Sequence, residues 1–78
     1  MARDYYAEAT AIAESAASVG LHDLSRRLQD AIGEGFTSTD ILMRIRSVLM
    51  ASATSLSPYS DLHARSQALL NGIDEALG

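Results

Sequence analysis

The chain has no cysteine, no tryptophan and no lysine, and only one proline and one phenylalanine in 78 residues. Each absence excludes something. Without thiols, no disulfide braces the fold and no thiolate chemistry is available. His22 and His63 are the only imidazoles, and no ligand cluster surrounds either in the sequence, so neither a metal staple nor a cofactor is expected. All six bases are arginine and face ten acids, for a net charge of −4. That balance lacks the positive field that nucleic-acid phosphates require. It suits a soluble protein, or one that meets a basic partner. No apolar run approaches the ~20 residues of a membrane span. In "MARDYYAEAT", Asp4 and Glu8 stand where a signal peptide has its apolar core. A cytoplasmic location is therefore the expectation.

The length predicts a single domain over residues 1–78. A chain this short buries only about 60% of its unfolded surface, so its core has little stability to spare. What fills the sequence is alanine, leucine and serine at helical spacing. The expectation is an all-α fold, a compact bundle of four short helices, antiparallel because their connections are short.

The first helix runs from about Asp4 to Ser18. Tyr5, Ala9, Ile12, Ala16 and Val19 recur at spacings of four and three and make one stripe. Its alanines form a thin face that lets a neighbouring backbone come close, and Gly20 punctuates the end. The second helix runs from about His22 to Ile32, with Leu21, Leu24, Leu28, Ala31 and Ile32 on its stripe. Asp23 and Arg27, four apart, form a favourable pair. Gly33 and Gly35 are expected to close this helix by adopting the left-handed conformation.

"GFTSTDI" then marks the third helix. Thr37 caps it, Asp40 reaches back towards the cap, and Phe36 with Ile41 forms a hydrophobic staple. The pattern carries this helix to about Ser55. "SLSPYSDL" opens the fourth, with Ser57 as cap and Pro58 in the first helical position. Tyr59, Leu62, Leu69, Ile73 and Ala76 form its stripe, and the period continues through Gly72. "LHDLSRRLQDAI" from Leu21 and "LHARSQALLNGI" from Leu62 share Leu, His, Ser, Leu and Ile at matching offsets, which suggests equivalent roles for the second and fourth helices.

The third helix has more apolar residues than one face needs. At roughly 100° per residue, Ile41, Leu42, Ile45, Val48, Leu49 and Leu56 make a broad core side. Met43 and Met50 fall about 135–155° from its centre, seven apart on one line, beside Arg46 and Ala53. Two readings compete. In one, this is a central helix covered on both sides. In the other, Met43, Arg46 and Met50 form an exposed contact patch, because flexible methionine with arginine is an interface composition. The patch would serve self-association as a homodimer or the binding of a foreign protein.

Two family resemblances are present. Ala31, Gly35, Phe36 and Ile41 resemble the small, glycine, apolar and apolar positions of a helix-turn-helix. That resemblance implies DNA binding through Ser38, Thr39, Arg44 and Arg46. Against it, Asp30, Glu34 and Arg44 occupy positions usually apolar, and Asp30, Glu34 and Asp40 would repel phosphate. The acidity, length and serine at a helix start also look like an acyl carrier protein, which implies phosphopantetheine on Ser38. Here Thr37 and Thr39 replace the flanking aspartate and leucine of that family, and Arg44 and Arg46 stand in a helix that is acidic in it.

No base, nucleophile and oxyanion donor converge in the pattern, so an enzyme is not expected. Asp61 with Arg65 reads as a surface pair, and Asp74 with Glu75 as solvated acids near a frayed end. The expected function is a small acidic helical module that binds a partner protein stoichiometrically, of the inhibitor, immunity-protein or adaptor kind. Its binding residues are expected to be Met43, Arg46 and Met50.

Overall fold

Asp4 begins the first helix as expected. In the computed structural model, which describes residues 4–35 and 37–78, its Oδ1 accepts from the Ala7 N–H at 3.0 Å. That bond satisfies one of the N–H groups a helix start leaves without a backbone partner. Helix α1 (Tyr5–Ser18) buries Ala9, Ile12, Ala13 and Ala16. It ends in a Schellman motif. Gly20 has φ +89°, the Leu21 N–H donates to the Ala16 carbonyl at 2.8 Å, and the Gly20 N–H donates to Ala17 at 3.1 Å.

Helix α2 (His22–Glu34) buries Leu24, Ser25, Leu28 and Ala31. Asp23 pairs with Arg27 at 3.2 Å and with Arg26 at 3.3 Å. The two expected closing glycines behave otherwise. Gly33 lies inside the helix, and Gly35 has φ −75° and ψ 146°, an extended conformation open to any residue. Gly35 is glycine for want of space. A Cβ there would overlap Ile41 Cγ1 and lie 3.2 Å from the Ile41 Cα.

Thr37 caps helix α3 (Ser38–Ala51), accepting from the Asp40 N–H at 3.1 Å. The expected Phe36–Ile41 staple falls on Phe36, which lies outside the described residues. The expected single helix to Ser55 is two. Ser52, at φ −100° and ψ 6°, separates α3 from the one-turn helix α4 (Ala53–Leu56). Its N–H is shared between the Val48 and Leu49 carbonyls at 3.0 and 3.3 Å, so the turn tightens there. The break redirects the chain onto the last helix, and Leu56 is fully buried.

Helix α5 (Ser60–Leu77) starts two residues later than the Ser57 cap would give. Pro58 sits in a turn closed by the Tyr59 N–H and the Leu56 carbonyl at 2.9 Å, and Tyr59 precedes the first helical residue. Gly72 does not interrupt α5, because Leu69, Leu70 and Ile73 are all anchored in the core.

The four long helices form a ring in which α1 packs on α2 and α5, and α3 packs on α2 and α5. The alanines of α1, Ala9, Ala13 and Ala16, are fully buried where it packs on its neighbours. The result is an all-α bundle with no strand among the described residues. One core joins all five helices, with Ile12, Leu28, Ile45, Leu49, Leu56, Leu69 and Ile73 at its centre. The internal echo has a counterpart in burial: Ser25 and Ser66 are both buried, as are Leu28 and Leu69, at opposite corners of the ring.

Candidate contact surface

Helix α3 turns Leu42, Ile45 and Leu49 fully inwards, with Ile41 and Val48 partly covered beside them. That set fills the space α3 shares with α2 and α5. Met43 and Met50 remain outside, 56% and 53% exposed. They stand two turns apart, about 10 Å along the helix. Of the two readings of the methionine line, the central covered helix is not what the fold adopts.

Arg46 stands between them and reaches α5. Its Nε donates to Asp74 Oδ1 at 2.6 Å, a charge-assisted bond, with both side chains about half exposed. Asp74 was expected to be a solvated acid. Because α5 continues past Gly72, it instead arrives opposite Arg46. This bridge crosses the groove between α3 and α5 and divides it into two clefts. One, of about 420 Å³, is lined by Thr39, Met43, Leu77 and Gly78 with the bridge. The other, of about 290 Å³, is lined by Met50, Ala53, Gln67, Leu70 and Asn71 with the bridge. Met43 thus stands opposite Leu77, Arg46 opposite Asp74, and Met50 opposite Leu70. As residue number rises along α3 it falls along α5, so the two helices run antiparallel.

The three sequence-predicted residues therefore share one surface. The α5 side of that surface, Leu70, Asp74 and Leu77, was not identified from the sequence. Its signal was present in the spacing of 70, 74 and 77, which marks one edge of the α5 stripe.

The alternative sites look different in three dimensions. Ser38 and Thr39 are exposed at the start of α3, but Arg44 pairs with Asp40 at 3.1 Å and Arg46 with Asp74. Both arginines a DNA-reading helix would use thus carry a carboxylate partner. Ser38 is preceded by the thirteen-residue helix α2 rather than by the long loop of a carrier protein. Another concavity, about 440 Å³, lies between the end of α1 and the start of α5. There Arg65 donates to Ser15 Oγ at 3.1 Å, reaching across to α1 instead of forming the expected pair with Asp61. His22 is exposed and His63 half-buried on separate helices. Among the described residues, no three His, Asp or Glu side chains are grouped so as to hold a metal ion. Among the described residues no helix is long and apolar enough to cross a membrane.

No protein-family model, curated protein or solved structure matches this chain.

Proposed function

We propose that this protein is a non-catalytic interaction module that binds another protein chain in fixed ratio through the α3–α5 face. The observation that carries the reading is the position of Met43 and Met50. Each keeps more than half its surface in water although the chain has a complete core without them. A single exposed apolar side chain is ordinary, but Met43, Met50 and Leu77 are grouped on one face, and grouped apolar side chains mark contact sites. Their composition fits that role: two pliable thioethers, one arginine and a rim of Thr39, Gln67 and Asn71.

The inhibitor, immunity-protein and adaptor kinds all work in this way, by occupying a surface without performing chemistry. The DNA-binding alternative is disfavoured because Arg44 and Arg46 are each neutralised by an acid on the same chain.

The test is Met43→Glu combined with Met50→Glu. Both positions face water, so circular dichroism is expected to keep its helical signal and melting point. Partner capture should be lost, because each substitution would bury a carboxylate without a partner at the contact. An unfolded variant would mean that the methionines belong to the core, and a folded variant that binds as before would remove the face from consideration.

A further inference from the structure

We infer that the chain covering the α3–α5 face is a second copy of the same protein, related by a twofold axis that runs along the groove between the two helices. This rests on the reading of that face as a contact surface. A twofold contact uses the same patch on both subunits, so the patch must complement itself. An axis along the groove lays α3 of one copy over α5 of the other. Arg46 then faces Asp74 of the second copy, Met43 faces its Leu77, and Met50 lies over the cleft that its Gln67 and Asn71 line. Charge meets opposite charge at the middle station and apolar meets apolar at the Met43 end.

The charges decide against a partner of single sign. The face bears one cation and one anion, already joined at 2.6 Å. A basic partner is attracted by Asp74 and repelled by Arg46, and an acidic partner the reverse. A second copy meets both with attraction and turns the single bridge into an alternating ring of four charges. The remaining nine acids and five bases lie off the bridge, so the net charge of −4 belongs to the rest of the surface.

The area fits a reversible pair. From Thr39 to Ala53 the strip is about 21 Å long, and two adjacent helices are about 20 Å wide, giving roughly 400 Å². A stable contact takes roughly 600–1,000 Å² from each partner, so this pair falls below that range and associates weakly and reversibly.

The experiment is sedimentation equilibrium on the full chain, with circular dichroism to confirm folding. Wild type is expected to show a reversible monomer–dimer equilibrium. Arg46→Asp alone makes the face doubly acidic and Asp74→Arg alone makes it doubly basic, so each should dimerise at least about tenfold more weakly. An equimolar mixture should restore a one-to-one heterodimer, since every cross-contact is again between opposite charges. Wild type that stays monomeric at millimolar concentration overturns the second copy as partner, and leaves the contact face to be judged by the methionine variants. A wild-type dimer that survives Met43→Glu with Met50→Glu overturns the face itself. Single charge variants that dimerise normally, or a mixture that stays monomeric, overturn the proposed axis. Should either charge variant lose its helical signal, the chain's lack of cysteine permits a second measurement. Met43→Cys mixed with Leu77→Cys should oxidise to a mixed disulfide that neither forms alone, and failure to do so also overturns the axis.

Discussion

Two glycines two residues apart should respond oppositely to the same substitution. Gly33 is inside α2 with nothing within 4 Å of where a Cβ would go. Gly33→Ala removes unfolded-state freedom and adds a better helix former, which together stabilise by about 0.5–1 kcal/mol. Gly35→Ala gains the same entropic benefit, but its methyl would overlap Ile41 Cγ1 and press on the Ile41 backbone 3.2 Å away. The isoleucine side chain can turn aside. The Cα, held in the first turn of α3 by the Ile41 N–H bond to Thr37 at 2.9 Å, yields less easily. Overpacking of this kind costs about 1–3 kcal/mol, so the net loss is about 1–2 kcal/mol. In a domain of this size the melting point should rise by about 2–6 °C in Gly33→Ala and fall by about 5–15 °C in Gly35→Ala. Urea unfolding followed by circular dichroism measures both. A Gly35→Ala protein as stable as wild type would mean that Ile41 does not sit over the link. A destabilised Gly33→Ala protein would mean that α2 stops earlier with a left-handed glycine, as its sequence pattern suggests.

Two further predictions concern the cap and the pair. Thr37→Ala loses the bond to the Asp40 N–H and should cost about 1 kcal/mol, seen as a melting point about 4–8 °C lower; an unchanged melting point would refute the cap. Self-association should tighten with salt, because two bodies of charge −4 about 22 Å apart, the shortest extent of the molecule, repel by about 3 kcal/mol in unscreened water. Screening leaves about 1.5 kcal/mol of this at 0.01 M and about 0.2 kcal/mol at 0.15 M, so the dimer constant should improve roughly five- to tenfold across that range. Association that is unchanged or weakens with salt would refute net repulsion as the dominant long-range term between the two copies.

The helices were legible because their signals are local. Gly20 and Thr37 act on backbone groups within four residues and are found in the predicted roles, and the first helix starts beside Asp4 as its pattern indicates. The boundaries that shifted depend on distant residues. The predicted third helix breaks at Ser52 because the chain must turn there to bury Leu56, and no propensity in "MASATSL" announces it. Pro58 is as good at the first position of a helix as in the turn preceding one, and only the Tyr59 bond to Leu56 separates the two. At Gly35 the residue type was informative and the reason was different. A close approach and a left-handed turn both require glycine, and they look alike in a sequence.

The contact surface shows the same division more sharply. A helical period states how far Met43 and Met50 lie from the centre of the core face, but it does not state how many neighbours the helix has. A fifth long helix outside α3 would have turned the same two methionines into core, with no change in their spacing. What decides is which elements pack on α3: among the described residues α2, α4 and α5 do so, on its leucine and isoleucine side or along its flank. The antiparallel course of α3 and α5 then fixes which residues meet across the groove, and it brings Asp74 to Arg46 from 28 residues away. In sequence Arg46 reads as part of a contact patch with Met43 and Met50, and nothing local shows which acid it meets. Once Asp74 arrives the two charges answer each other across the groove, and the proposal that a second copy covers this face starts from that arrangement.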